Sequence, residues 1–427
     1  MPAIDTFFED FLAKISPTDE QLDQMDLVHD KAVKFLSGQK LLSHIWVKSF
    51  VQGSYRRETG LIGTEEHPCD IDVVVVTKLP HVLLPAFALE LFSGPLEKFC
   101  DEIAKENPKG RFCAKPQGRS WGIAVSPTIS LDIVPTSSVD QAWNEPLIDA
   151  EHSTIKLAEA EAKAGEEMLG RMANFSFRGK RDQRRRMLVE ATAMATADEG
   201  IALKAIAAFR ERQAHVQKTA AAGQREVEVP GALRIPDHNI QKWVATHPLA
   251  QIEWTENMEK KCFGNFTKVV RCIKWWQRTR SAQCGKPKGY PLERLVGECC
   301  PVGITSVGQG VAETFKNIVV KFSAQIEQQG IVPKLEDYGT NADVWKRLTI
   351  GELRSFMACA RTAYQISQKA ISAADHEEAA VHWRELFGDQ FPGPKPKATV
   401  PAAPPGTPTK FTGSDVANPP ARPKTFA

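Results

Sequence analysis

The stretch Cys69-Asp70-Ile71-Asp72-Val73-Val74-Val75-Val76-Thr77 (CDIDVVVVT) carries two carboxylates one residue apart, followed by a β-branched run. Bounded by polar residues, the run predicts a buried strand. Side chains two apart in a strand point to the same face, so Asp70 and Asp72 share one side while the valines enter the core. Two bare carboxylates at that distance repel. A divalent cation relieves the repulsion, and oxygen ligands of this type suit magnesium, which binds through a few carboxylates together with substrate phosphates. An isolated D-x-D pair, however, more often marks a strand end whose acids merely face water.

Two neighbouring features shift the balance. Upstream, IWVKSFV (45–51) reads as extended and is broken by Gln52-Gly53-Ser54. Glycine lets backbone approach a phosphate closely, and a serine hydroxyl with neighbouring N–H groups at a helix start can donate to its oxygens. Downstream, SLDIVPT (130–136) is a short strand stopped by Pro135, with Asp132 as its single charge. A buried, unpaired carboxylate is costly, so Asp132 needs a partner, and a metal shared with Asp70 and Asp72 supplies one. A Gly-Ser turn, then D-x-D, then a third Asp on a further strand is a specific combination.

Outward from this core, apolar residues recur at helical spacing over 4–15 and 26–36, residues 81–107 read as helical, and 121–126 as extended. No proline occurs from Leu147 to Val229, a segment rich in strong helix formers. Residues 243–387 carry amphipathic stretches such as FTKVVRCIKWWQRT and AETFKNIVVKFSAQI, which predicts an all-helical second half. Ten of the last 36 residues are proline, with few large apolar residues, which predicts disorder. The expected organisation is N-terminal helices joining two lobes at 1–40, a core at 41–235 with a helical insertion at 150–235, a helical domain at 236–391, and a Pro-rich tail at 392–427.

A chain of 427 residues with 42% hydrophobic and 25% charged content has room for two domains. The formal charge of +2 excludes an overall positive field, so no constitutive nucleic-acid partner is expected. No stretch approaches the roughly 18 apolar residues of a membrane span, and the N-terminus lacks a signal-peptide pattern, giving a cytoplasmic protein. The nine cysteines form no C-x-x-C pair and read as reduced, mostly buried thiols. Cys299-Cys300 has no His or Cys at finger spacing and reads as structural rather than zinc-binding. The run RGKRDQRRR (178–186) holds six basic residues in nine, enough for a local phosphate patch, though a solvated helix face is the commoner meaning. Trp275-Trp276 reads as core.

The Gly-Ser turn with three carboxylates resembles the polymerase-β-like nucleotidyltransferases. Together with FVQGSYRRET (50–59), HPLAQIEW (247–254), VRCIKWWQRT (270–279) and PKGYPLERLVG (287–297), it resembles the bacterial cGAS/DncV-like nucleotidyltransferases (CD-NTases), clade D, of the CBASS anti-phage operons. The resemblance covers most of 1–391 and weakens at 150–235, where this chain is longer and more helical. It implies an α+β fold, a small mixed sheet with helices packed on an all-helical C-terminal domain. It also implies that Gln52 and Ser54, in the turn with Gly53, contact the donor triphosphate and that Asp70 and Asp72 bridge two Mg2+ ions. Asp132 then completes the metal that activates the acceptor hydroxyl, and Lys274 reaches the phosphates. Lys274 alone would read as a solvated lysine, and Tyr290 either stacks on a base or packs against helices.

The activity so implied is synthesis of a cyclic di- or trinucleotide signal, foremost an adenine-containing trinucleotide, from ATP and GTP by a monomeric enzyme. The product would act on a separate effector. The alternative on the same fold is an enzyme that adds nucleotides to RNA ends, against which the near-neutral charge counts. A drug- or protein-modifying transferase and a catalytically dead scaffold are further readings, the last opposed by the intact Asp70, Asp72 and Asp132. The tail ends in Lys424-Thr425-Phe426-Ala427. Because related enzymes often share operons with ubiquitin-transfer-like proteins, Ala427 is the expected site of conjugation to a partner of that kind.

Overall fold

The computed structural model describes residues 2–79, 84–106, 113–138, 232–340 and 342–394. The expected helices of the 150–235 insertion up to residue 231, the basic run 178–186 and the tail with Ala427 lie outside them.

Helix α1 (Pro2–Ile15) buries Phe8, Phe11, Leu12 and Ile15, spaced along one face, in the helical lobe. Helix α2 (Asp19–Ser37) buries Met25, Val28, Ala32 and Leu36 against the sheet instead. Thr18 and Gln21 close a capping box between them, fixing where α2 begins. The short α3 (Lys40–Ile45) leads into β1 (Trp46–Gln52), a four-residue α4 (Gly53–Arg56) and β2 (Cys69–Thr77). Next come α5 (Pro85–Glu90), α6 (Ser93–Glu106), β3 (Ala114–Pro116), β4 (Trp121–Ser126) and β5 (Ile129–Ser138). Two further strands, β6 (Leu233–Asp237) and β7 (Lys242–Thr246), complete a seven-stranded mixed sheet.

The sheet runs β1-β2-β5-β4-β3, with β6 pairing the end of β5 and β7 pairing β6. Only β2 and β5 are parallel; the other pairs are antiparallel. The valine run is continuous because β2 is covered on both faces. Ile71, Val73 and Val75 meet the helices α2, α3, α5 and α6, while Val74 and Val76 pack with Leu233 of β6 and with Val47 and Phe50 of β1. Asp70 and Asp72 lie on this second face, ahead of where its apolar cover begins.

The helical lobe comprises α7 (Pro248–Lys261), α8 (Phe266–Thr279), α9 (Ser281–Cys284), α10 (Gly289–Cys299), α11 (Val307–Ser323), α12 (Ile350–Ser372) and α13 (His376–Phe387). Trp276 sits edge-on to Phe315 and Phe356 in its core. Trp275, read as core, is only half-buried and donates its ring N–H to Phe387 O at 3.0 Å.

Two expectations need correction. The second half is not helical from 236: β6 and β7 extend the sheet to Thr246, so the helices start at Pro248. The strands are five residues each, and their pairing, β6 with β5 and β7 with β6, outweighs weak local preference. Not all cysteines are free thiols: Cys284 of α9 and Cys359 of α12 are bonded, their Cα atoms 5.7 Å apart, because packing brings together residues 75 apart in the chain. Of the free cysteines, Cys113 is exposed and the others are buried. Among the described residues no helix is long and apolar enough to cross a membrane.

Asp237, fully buried at the end of β6, ties the sheet to the helical lobe. It accepts from Arg119 Nε at 2.9 Å and from Arg347, and caps the backbone N–H groups of Asn239 and Ile240 at 3.2 and 3.4 Å. Asp237→Ala strips these donors of their acceptor and is expected to lower unfolding free energy by about 2 kcal/mol. Urea denaturation checks this, and an unchanged midpoint would contradict a tying role for the carboxylate.

Candidate active site

The pairing register sets Gln52 opposite Asp72, Asp72 opposite Asp132 and Asp132 opposite Gly122, a single row across β1, β2, β5 and β4. Residues directly opposite one another face the same side, and adjacent strands lie about 4.8 Å apart. Asp72 and Asp132 therefore stand side by side, with Asp70 two residues earlier on the same face, opposite Ser130.

Two glycines keep this row open. Gly53, at φ +76°, turns the chain out of β1 into α4, and a Cβ there would lie 1.8 Å from Asp72 Oδ2. A Cβ on Gly122 would lie 3.0 Å from Asp132 Oδ1 and 2.3 Å from Gln117 Nε2. Gln117 donates to Asp132 Oδ1 at 3.0 Å and accepts from Ser120 Oγ at 3.0 Å. Ser130 donates to Asp70.

Burial, then the charges of Asp72 and Asp70, push the Asp132 carboxyl up to about 7. Burial, then Asp70, push Asp72 up to about 6, although Arg57 and Lys274 pull it back. Such shifts are the signature of negative charge without a local counter-ion. Among the described residues no three His, Cys, Asp or Glu side chains converge as a ready cluster; Asp70 accepts from Ser130 and Asp132 from Gln117. The carboxylate donor set, its shared face and its uncompensated charge fit a divalent cation bound together with phosphate oxygens.

Gln52, Gly53, Ser54, Asp70, Asp72, Lys274 and Tyr290 line one cleft of about 1040 Å³ between the sheet and the helical lobe. Asp132 lies beyond this lining, next to Asp72. Lys274 does not reach out freely: its Nζ donates to Glu293 Oε1 at 2.7 Å and to Thr59 O at 2.8 Å. The other Glu293 oxygen accepts from Arg57 Nε and Nη2 at 3.1 and 3.0 Å. Burial alone would raise the Glu293 carboxyl, but Lys274 and Arg57 outweigh it and hold it down at about 2. The Tyr290 hydroxyl donates to Asp337, and the Arg57 guanidinium lies 5.0 Å from its ring centre.

Sequence reasoning missed Glu293, Arg57, Gln117 and Gly122. Nothing local to PLERLVG reveals which cations Glu293 will meet, and nothing local to Gly122 reveals which strand it will face. Ala427 lies outside the described residues.

The raised carboxyls have a pH consequence. A folded state that favours their protonated form gains stability from them below the ordinary carboxylate value near 4 and loses it as pH rises through 6 to 7. Magnesium should offset that loss, raising the melting temperature by about 2–4 °C per kcal/mol relieved at pH 8 and much less at pH 5. Asp132→Asn should stabilise the metal-free protein at pH 8 and reduce the magnesium effect. Gly53→Ala, which displaces Asp72, should also reduce it. Scanning calorimetry with magnesium or chelator checks these, and equal magnesium shifts at both pH values would count against a carboxylate metal site.

Known proteins point the same way. The family profile of the Second Messenger Oligonucleotide or Dinucleotide Synthetase domain matches residues 1–85. The chain is 32% identical over 394 residues to the cyclic AMP-AMP-GMP synthase of Enterobacter hormaechei subsp. hoffmannii (strain UCI 50), covering 91% of this chain and 92% of that protein. Two solved structures share the fold, each at a TM-score of 0.53 over 91% of this chain and 97% of theirs. One is the cyclic AMP-GMP synthase DncV of Vibrio cholerae, at 11% identity. The other is the CD-NTase CdnG of Bradyrhizobium diazoefficiens in complex with GTP, at 10% identity. With the three-carboxylate sheet face, the Gly-Ser turn and nearly full-length kinship, the chain belongs to the bacterial cGAS/DncV-like nucleotidyltransferases.

Proposed function

We propose that this enzyme condenses ATP and GTP into an adenine-containing cyclic trinucleotide that serves as a signal in anti-phage defence. The observation that carries the chemistry is the in-register pair Asp72 and Asp132, with Asp70 on the same face, at the border of a cleft large enough for nucleotides. The choice of a trinucleotide is supported by the named product of the Enterobacter relative, cyclic AMP-AMP-GMP.

In each transfer the oxygen of a ribose hydroxyl on the acceptor attacks the α-phosphorus of the donor. The bond from that phosphorus to its bridging oxygen breaks, pyrophosphate departs with the electron pair, and the hydroxyl proton is released. The last transfer joins the ends of the linear product. Asp70, Asp72 and Asp132 would hold two magnesium ions, whose chemistry is to stabilise charge on the attacking and departing oxygens. The protein's own groups do the positioning. Gly53 brings α4 against Asp72, the Glu293 pairs hold the Arg57 and Lys274 side chains at the cleft, and Asp337 anchors the Tyr290 ring in its wall.

Incubating the purified protein with nucleoside triphosphates and magnesium should yield a phosphatase-resistant product whose mass and nuclease pattern identify bases, ring size and linkages. Elongation of an added RNA without such a product would instead favour the RNA-end activity. Asp70→Ala and Asp72→Ala should each lower product formation on the order of 10³-fold or more while leaving the fold intact. Asp132→Asn should retain ATP binding, because Asp70 and Asp72 still hold the donor's metal, yet lose turnover. Calorimetry showing that ATP binding and activity disappear together in Asp132→Asn would contradict this division of roles.

A further inference from the structure

Gln117 sits in the turn between β3 and β4, on the far side of β4 from Asp132 in the strand order β5-β4-β3. Its side chain nevertheless crosses β4 and donates from Nε2 to Asp132 Oδ1 at 3.0 Å. The crossing is possible because Gly122, opposite Asp132 on β4, has no side chain. A Cβ there would meet Gln117 Nε2 at 2.3 Å and its Cδ at 3.3 Å. Asp132 Oδ1 is thus engaged from the β4 side, whereas Asp72 stands on the β2 side.

An exposed glutamine ordinarily samples many rotamers, so this bond needs a reason to persist. Ser120 Oγ donates to Gln117 Oε1 at 3.0 Å, and an ionised carboxylate can only accept. The amide is therefore held with its nitrogen toward Asp132 and its oxygen toward Ser120. The turn itself is fastened as well: Gln117 N donates to Ser120 O at 2.8 Å, His238 N donates to Gly118 O at 2.8 Å, and Arg119 Nε pairs with Asp237 at 2.9 Å. Gly118 lies against the turn between β6 and β7, where a Cβ would come within 2.5 Å of Asn239 Nδ2. Neither Gln117 nor Ser120 lines the cleft, so their influence on a nucleotide bound there passes through Asp132.

We propose that Gln117 is the positioning residue of the third carboxylate: by engaging Oδ1 from the β4 side it sets the plane of the Asp132 carboxyl and leaves Oδ2 for a divalent cation shared with Asp72. This rests on the two-metal reading of Asp70, Asp72 and Asp132 and adds to it the group that orients the last ligand. A ligating carboxylate that is itself hydrogen-bonded has its orientation settled before the ion arrives, which is why such partners strengthen metal binding. Ser120 keeps the amide the right way round, and Gly122 leaves the space in which it lies.

The test uses the full-length protein with Gln117→Met, which keeps length and volume but loses the donor, Gln117→Asn, whose amide stops one carbon short, and Ser120→Ala. Manganese binding in the presence of the non-reacting α,β-methylene analogue of ATP is followed by electron paramagnetic resonance. Magnesium titration of product formation and the melting temperature are measured beside it. Gln117→Met and Gln117→Asn should weaken binding of the second manganese ion about tenfold, raise the magnesium needed for half-maximal turnover by a like factor and lower kcat about tenfold. KM for ATP should stay within about twofold of wild type, and the melting temperature of the metal-free protein should be unchanged. Ser120→Ala should fall between wild type and Gln117→Met. Unchanged manganese affinity in both Gln117 variants would overturn the proposal. So would a loss of manganese binding matched by a lowered melting temperature and weaker binding of the ATP analogue, the pattern of a purely structural turn residue. If Gln117→Met weakens manganese binding while the wild-type protein makes no product from triphosphates, the positioning role stands and the nucleotidyl-transfer reading alone fails.

Discussion

The parallel pairing of β2 with β5 places two ionisable carboxylates next to each other at the exposed start of an otherwise apolar face, and the architecture around them accommodates that cost. Asp72 and Asp132 are neighbours because of register, and a slip of one residue in either strand would turn its carboxylate toward the helix-covered core. Burial raises both acids, with the charge of Asp70 adding to both and that of Asp72 adding to Asp132, so the site favours a positive charge beyond what Arg57 and Lys274 supply. Stability spent here is offset elsewhere, by the double-sided burial of the same strand from Val73 onward.

The opposite wall is organised by a second buried acid used in the reverse sense. Glu293 is fully compensated: Arg57, at the end of α4, and Lys274, on α8, bind separate oxygens of one carboxylate. A buried pair of this quality is weak evidence for net stability but strong evidence for geometry, since removing one partner leaves an isolated charge. It joins the segment after the glycine turn to the helical lobe. The Asp237 pairs with Arg119 and Arg347 join the far end of the sheet to the same lobe. The cleft is thus bounded by two lobes joined through a buried carboxylate at each end.

The three aspartates and the Gly-Ser turn were legible in the sequence because their signals are local. Period-2 alternation sets the face of Asp70 and Asp72, a lone acid in an apolar strand demands a partner, and a glycine between strand and helix permits a positive φ. The amphipathic helices of the second lobe were legible for the same reason. The strands β6 and β7 were not, since segments of five residues take their structure from the strand they pair with. Nor was the bonding of Cys284 to Cys359, which depends on how α9 meets α12.

What the amino-acid sequence determined by itself is the identity and spacing of the reactive groups: which residues are acids, which can turn the chain, which face each occupies along its own strand or helix. The tertiary structure alone decided which groups oppose one another. Register paired Asp72 with Asp132 and Gly122. Packing of α8 and α10 against the segment after α4 gave Lys274 and Arg57 to Glu293 and, among the described residues, left Arg271 and Arg278 without a carboxylate at ion-pair distance. The reason is physical. Conformational preference and side-chain periodicity act over a few residues, whereas charge compensation depends on distances between atoms that lie hundreds of residues apart in the chain and meet only after the apolar faces have been buried.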